Sequence, residues 1–158
     1  NVMASSIGSL CNPNKIANTF KSVKKVSLAS QTIAKYLSFM EDAFIVEKSV
    51  RYDIKGRKYI GTLSKYYFQD VGLRNALLNF RQVEETHLME NVIYNELRRC
   101  GYSVDVGMIE VRSATQRKQL EVDFVANKGD KRYYIQSAFA LPDEQKLEQE
   151  LASLKKNQ

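Results

Sequence analysis

The chain has 158 residues, of which 44% are hydrophobic, and it contains two cysteines and one histidine. Cys11 and Cys100 form no CxxC pair, so a thiolate or histidine zinc site is not expected, and two unpaired thiols favour a reducing cytoplasm. No apolar run approaches the roughly 20 residues that span a bilayer, so we expect no membrane partner.

Charge is distributed unevenly along the chain. Residues 1–80 carry 12 Lys and Arg against 5 Asp and Glu, a net charge of +7, whereas residues 81–158 carry 12 against 13, a net charge of −1. This asymmetry predicts two domains, 1–80 and 81–158, of which the basic one meets a polyanion. The alternative is that the first domain has a solvated lysine-rich surface.

Two short helices are predicted near the N-terminus. Asn12 is the expected N-cap of the first, with Pro13 at its first position, and Ser30 is the expected N-cap of the second. Such a pair, joined by a tight connection, is typical of a helix-turn-helix. The second helix is expected to bury the residues spaced along one face, Ile33, Tyr36, Leu37 and Met40.

A strand, an exposed tip and a second strand are predicted over "FIVEKSVRYDIKGRKYIGTLSKYYFQD". Helices followed by such a hairpin make a winged helix, which would bind DNA. The candidate contacts are Gln31, Thr32, Lys35 and Ser38 in the major groove and Lys24, Lys25, Arg51, Lys55, Arg57 and Lys58 near phosphates. The competing interpretation is a protein-docking module.

The longest helical pattern is "ETHLMENVIYNELRRC", which ends at Gly101. A helical wheel places Glu96 near the middle of its apolar stripe and Glu90 at the margin of the stripe. A carboxylate on a buried face needs a partner or a metal. His87 is expected at the surface or at the helix start. The stripe consists of Leu88, Met89, Val92, Ile93, Leu97 and Cys100.

The remainder predicts three strands, "VDVGMIEV", "LEVDFVAN" and "RYYIQSAFA", and then a charged helix from about Pro142 to Lys156. The expected fold class is therefore α/β or α+β, in which a small mixed sheet is flanked by helices.

The last two strands are expected to form a tight hairpin. A type II′ turn at Gly129 and Asp130 places Asp123 opposite Gln136. Alternation then predicts one polar and one apolar face. The polar face would carry Glu121, Asp123, Tyr134 and Gln136, and the apolar face Val122, Phe124, Ala126, Tyr133 and Ile135.

A helical Glu, a strand Asp and a Gln in the next strand resemble the PD-(D/E)XK nuclease superfamily, with Glu90, Asp123 and Gln136 at the matching positions. The resemblance implies Mg²⁺ or Mn²⁺ held by these oxygens. The superfamily lysine would stand at Ala138, so catalysis is not expected unless Lys118, Lys128 or Lys131 reaches the site. Metal-dependent cleavage remains the alternative. A polar cross-strand pair covered by the helix is the structural interpretation of Asp123 and Gln136.

The motifs "RYDIKGRKY", "KYYFQDVGLRNALL", "EVDFV" and "YYIQ" together are similar to the C-terminal region of a bacterial and archaeal family of AAA+ ATPases. The resemblance runs from about Asn12 to Leu141. It implies a winged helix followed by a degenerate restriction-endonuclease-like domain, whose sheet is expected to be C-terminally truncated here. ATP would be bound by an upstream domain, since GxxxxGK[ST] is absent from this sequence. That ATPase domain is an expected partner and a route to oligomers.

Overall fold

The computed structural model describes residues 1–81, 84–112, 117–140 and 143–155. It shows a mixed α/β fold in which N-terminal helices precede a mixed sheet flanked by further helices. The helices are a 3₁₀ turn (Ala4–Ser6), α1 (Pro13–Thr19), a π-helical turn (Phe20–Lys24), α2 (Ser30–Asp42), α3 (Val71–Leu77), α4 (Glu85–Arg99) and α5 (Glu144–Lys155). The strands are β1 (Val46–Asp53), β2 (Lys58–Phe68), β3 (Ser103–Arg112), β4 (Arg117–Lys128) and β5 (Lys131–Ile135).

The N-terminal helices follow the predicted order. Asn12 caps α1, since its side chain accepts a hydrogen bond from the Lys15 amide at 2.8 Å. The N-cap predicted at Ser30 is wrong, because Ala29 precedes α2 and Ser30 is the first helical residue. Tyr36 is 57% exposed and was therefore wrongly assigned to the core. Ile33 and Leu37 are buried as predicted.

The described strands form one sheet in the order β2-β1-β3-β4-β5. β1 pairs antiparallel with β2 and also, through Arg51 to Asp53, parallel with β3. The predicted hairpin therefore belongs to the same sheet as the strands of the second segment, which its sequence did not indicate. Independent folding of 1–80 and 81–158 stays a prediction.

The hairpin bends at a register shift between Val50 and Arg51. Irregularities of this kind bend a strand and increase its twist. The end of β2 lies over β4 on the side of α4, where the ring of Tyr67 stacks on Tyr94 at 4.0 Å and lies 6.1 Å from Phe124. The bend thus brings residues of β2 to a strand that is not its neighbour in the sheet.

The β4–β5 register is the predicted one, from Phe124 opposite Ile135 to Lys128 opposite Lys131. Gly129, in the turn, has φ +60, the left-handed region that glycine enters readily. The predicted faces are wrong at Val122, because the β3–β4 register shifts between Asp105 and Gly107. Val122 packs on one side of the sheet with Ile109, and Phe124 on the other with Tyr94.

The last described helix, α5, begins at Glu144, and the Asp143 carboxylate accepts a hydrogen bond from the Lys146 amide at 2.7 Å. Pro142 and Lys156, the predicted ends of this helix, lie outside the described residues. None of the described helices has the length and apolar character needed to cross a membrane.

Candidate functional site

A buried lysine lies among carboxylates where β2, α4 and β4 meet. The side chain of Lys65 is 3% exposed, and its Nζ lies 2.8 Å from Glu90 Oε1 and 2.7 Å from Glu121 Oε1. The same Nζ lies 3.9 Å from Asp123 Oδ1. We call Lys65, Glu90, Glu121 and Asp123 the Lys65 cluster.

The end of β2 is fixed to α4 by a side-chain amide. Asn91 accepts a hydrogen bond from the Phe68 amide at 2.8 Å and donates one to the Phe68 carbonyl at 2.7 Å. Asn91 is fully buried and follows Glu90 directly in the helix. The same turn of α4 therefore holds the backbone of β2 and pairs with its lysine.

The buried face of α4 differs from the predicted apolar stripe. Glu90, Asn91 and Tyr94 are buried, whereas Val92 is 55% exposed. Glu96 was predicted near the middle of the buried face, but it is exposed and accepts a hydrogen bond from Arg99 Nε at 2.8 Å. Two of the three buried residues on this face are polar, and partners on β2 satisfy them, which helical periodicity cannot reveal.

Charge in the cluster is set by burial and pairing together. Burial raises the pKa of Glu90, although the ion pair with Lys65 and a 2.7 Å hydrogen bond from the Tyr67 hydroxyl favour its charged form. Burial disfavours the ammonium of Lys65, but Glu90 and Glu121 outweigh this effect and raise its pKa above 10.5. Lys65 is therefore a positive charge at the centre of the cluster at neutral pH.

The predicted pair Asp123 and Gln136 lies at the edge of the cluster. Asp123 Oδ2 accepts hydrogen bonds from the Ser137 amide at 2.8 Å and the Ser137 hydroxyl at 2.7 Å. Gln136 Oε1 accepts from the Asp123 amide at 3.4 Å, and its Nε2 donates to Glu150 at 3.2 Å. The structure thus gathers Glu90 and Asp123 around Lys65 and leaves Gln136 engaged with backbone and with α5.

This arrangement does not fit the Mg²⁺ or Mn²⁺ implied by the resemblance. The Lys65 ammonium already stands 2.8 Å from Glu90 and would repel a second cation. The side-chain oxygen of Gln136 accepts from a backbone amide. Across residues 1–81, 84–112, 117–140 and 143–155, no three His, Cys, Asp or Glu side chains are grouped so that they could hold a metal ion.

Lys65 is the residue of the candidate site that sequence reasoning missed. Ala138 offers no charge and lines a cleft of about 550 Å³ together with Ser137 and Glu150. Of the lysines considered as replacements, Lys128 donates to the Cys100 carbonyl, while Lys118 and Lys131 are exposed. A signal existed in "SKYYF", where one lysine interrupts the apolar end of a predicted strand.

Most of the predicted DNA contacts are exposed, but two are not. Arg51, in the inner strand β1, is 7% exposed and donates to the Gln119 side chain at 3.0 Å. Its burial counts against the predicted phosphate contact. Thr32 is half-buried. Exposed are Lys24, Lys25, Gln31, Lys35, Ser38, Lys55, Arg57 and Lys58.

These exposed residues fall into two separate sets. Val46, at the start of β1, packs in the core of α1 and α2, and the hairpin tip follows Asp53 at the other end of the strand. The strand spans seven steps of about 3.3 Å, at most roughly 23 Å, so the tip lies at the end of β1 away from the helices. The helix set and the tip set therefore do not form one compact patch.

Fold and site together define a mixed α/β protein with a buried lysine–carboxylate cluster. Residues 1–84 match the family described as "Domain of unknown function (DUF8612)", and the chain belongs to this family. An uncharacterized protein of Haemophilus influenzae (strain ATCC 51907 / DSM 11121 / KW20 / Rd) is 39% identical over 141 residues, which are 89% of this chain. The chain spans 33% of the length of that relative. No solved structure matches this chain.

Proposed function

We propose that the chain is a non-catalytic, DNA-binding C-terminal region of an AAA+ ATPase. In this proposal residues 1–80 act as a winged helix and residues 81–158 as a degenerate restriction-endonuclease-like domain. The observation that carries it is a contrast of charge. Lys65 pairs with carboxylates inside the molecule, while nine of the twelve Lys and Arg residues of 1–80 are exposed and available to a polyanion.

Absence of catalysis is supported by the state of the Lys65 cluster. A nuclease lysine must reach the phosphate that is being cleaved. Lys65 is 3% exposed, and Glu90 and Glu121 hold its ammonium at ion-pair distance. The carboxylates that would bind a metal are therefore already paired with Lys65, which is part of the same chain.

DNA binding is supported by the exposed face of α2. Gln31, Lys35 and Ser38 are exposed and spaced by four and three residues, which places them on one side of the helix. Ile33 and Leu37 are buried and attach the helix to the core. A helix with a polar face of this kind can enter a major groove, and Lys24 and Lys25 lie just before it for phosphate contacts.

The ATPase module is supported by the resemblance stated above and by the greater length of the relative, of which this chain covers a third. That module is the proposed partner of the region and the proposed site of ATP binding. The cytoplasm is the proposed location.

The test is fluorescence anisotropy with a labelled 20-bp duplex, measured across a range of salt concentrations. Lys24→Ala with Lys35→Ala should weaken binding and lower the salt slope by roughly 1, since Lys24 is the expected phosphate contact of the pair and each lost phosphate contact removes about 1. The control matched in charge is Lys118→Ala with Lys155→Ala, two exposed lysines of the second segment.

Either of two results would contradict DNA binding by the helices. One is no binding by the folded chain, which would favour the protein-docking alternative. The other is an equal loss in the two double variants, which would show that net charge alone is responsible.

Metal-dependent cleavage through Glu90, Asp123 and Gln136 is the alternative, and the ammonium of Lys65, 2.8 Å from Glu90 and 3.9 Å from Asp123, counts against a metal ion there. Calorimetry with Mn²⁺ and a DNA-cleavage assay, run on the wild type, Asp123→Ala and Glu90→Ala, test it. Cutting that both variants abolish would overturn the non-catalytic proposal.

A further inference from the structure

The hairpin tip lies against the second segment of the chain. The Ile54 amide donates to the Met108 carbonyl of β3 at 3.0 Å, and the Ile54 side chain is 9% exposed. The three cations that follow, Lys55, Arg57 and Lys58, are exposed. The tip is therefore a fixed, basic edge of the sheet.

An exposed aromatic ring follows the tip directly. Tyr59 is 63% exposed and stands opposite Tyr52, with the two ring centroids 5.4 Å apart and edge to face. The Tyr59 hydroxyl donates to Asp105 Oδ2 at 3.3 Å, and Asp105 is 6% exposed. The ring is thus held in place by a buried carboxylate while most of its surface is open to solvent.

An arginine from the far strand completes the row. The guanidinium of Arg132 in β5 lies 5.2 Å from the centroid of the Tyr52 ring and 3.5 Å from its hydroxyl. Arg132 Nε also donates to Asn127 at 2.6 Å, although the residue as a whole is exposed. We call Tyr52, Tyr59 and Arg132 the tyrosine row.

The acidic groups near the tyrosine row have local partners. Asp105 accepts from Tyr59, and Asp53 Oδ1 accepts from the Gly56 amide at 2.9 Å within the turn. The surface therefore offers cations and one open aromatic ring. This combination suits a ligand that carries phosphates and planar bases.

We infer that the tyrosine row binds single-stranded nucleic acid, with an unpaired base stacked on Tyr59 and an adjacent phosphate near Arg132. Bases stack on aromatic rings almost regardless of sequence, but a duplex keeps its base faces covered. This inference rests on the proposed DNA-binding function. It adds a second contact surface, at the end of β1 away from the helices, and names the strand state that this surface takes.

The experiment measures anisotropy of labelled oligothymidylate (dT20) and of a 20-bp duplex against the whole chain. Tyr59→Ala should weaken dT20 binding at least about fivefold, which corresponds to roughly 1 kcal/mol of lost stacking, and leave duplex binding unchanged. Tyr59→Phe keeps the ring and should bind dT20 within about twofold of the wild type. Tyr133→Ala is the matched control, since Tyr133 is 44% exposed but packs against Tyr102 at 5.9 Å.

The outcomes separate this inference from the function on which it rests. Equal dT20 affinity for Tyr59→Ala and the wild type would overturn it, as would an equal loss in Tyr59→Phe. Duplex binding without dT20 binding would overturn the tyrosine row alone, and binding of neither would overturn both proposals. Arg132→Gln tests the same surface independently, and its salt slope on dT20 should fall by about 0.7.

Discussion

Lysines occupy two opposite environments in this protein. Lys65 is 3% exposed among three carboxylates, whereas Lys24, Lys35 and Lys58 project into solvent. The contrast shows that the basic composition of residues 1–80 does not describe one surface, because one of its cations serves the carboxylates of the second segment. A buried cation forms ion pairs within the chain, whereas an exposed cation is available to a partner.

The largest expected effect is the loss of the buried cation. Lys65→Met leaves Glu90 buried without its ion partner and should lower the free energy of unfolding by about 3–5 kcal/mol. The melting temperature should then fall by roughly 10 °C, measured by circular dichroism. Lys65→Met combined with Glu90→Gln should recover part of the loss, because position 90 then carries a neutral amide instead of an unpaired charge. A double variant no more stable than Lys65→Met would contradict the coupling.

Asn91→Ala should have the next largest effect. It leaves the buried Phe68 amide without the Asn91 side chain, and an unsatisfied buried group costs about 1–3 kcal/mol, whereas the Phe68 carbonyl keeps a hydrogen bond from Asn95 at 2.9 Å. Urea denaturation followed by fluorescence gives the change in the free energy of unfolding. The neighbouring Val92→Ala is the control, since Val92 is 55% exposed and should change stability by less than about 0.5 kcal/mol. Equal losses in the two variants would show that α4 does not fix the end of β2.

High pH should weaken the same cluster. The pKa of Lys65 is raised above 10.5 in the folded chain, so the stability it contributes is fully present below pH 10.5 and is lost as pH rises through the folded pKa. The wild type should therefore lose more melting temperature above pH 10.5 than Lys65→Met does. The melting temperature of both proteins is measured from pH 8 to pH 11.5. The difference between the two curves removes the contribution of the other lysines and tyrosines, which both proteins share. Parallel curves would count against an ionised Lys65.

The smallest effect on stability is expected at the exposed cations. Lys24→Ala with Lys35→Ala should change the free energy of unfolding by less than about 0.5 kcal/mol. The same variant should lose affinity for the duplex. Lys65→Met should keep the affinity of the wild type, once its concentration is corrected for the folded fraction. A loss of stability near that of Lys65→Met would remove the distinction between buried and exposed lysines.

Local patterns predicted the elements well. Asn12 caps α1 and the β4–β5 hairpin has the predicted register, but β5 ends at Ile135 and not at Ala140, where the predicted strand ended. The other errors lie where tertiary partners decide. A register shift turned Val122 and Phe124 to opposite faces, and Lys65 of β2 pairs with Glu90 of α4, which the helical wheel had placed only at the margin of the apolar stripe.

The sequence by itself determined the helices and the two hairpins, because those follow from periodicity and turn chemistry within short segments. Glu90 and Asp123 were named through the resemblance to the nuclease superfamily. The parallel pairing of β1 with β3, the burial of Arg51 and the position of Lys65 were decided by the tertiary structure alone. Lys65 and Glu121 are separated by more than fifty residues, and no local propensity relates them. Their contact arises where the end of β2 lies over β4 beside α4, an arrangement that the packing of Tyr67, Tyr94 and Phe124 stabilises.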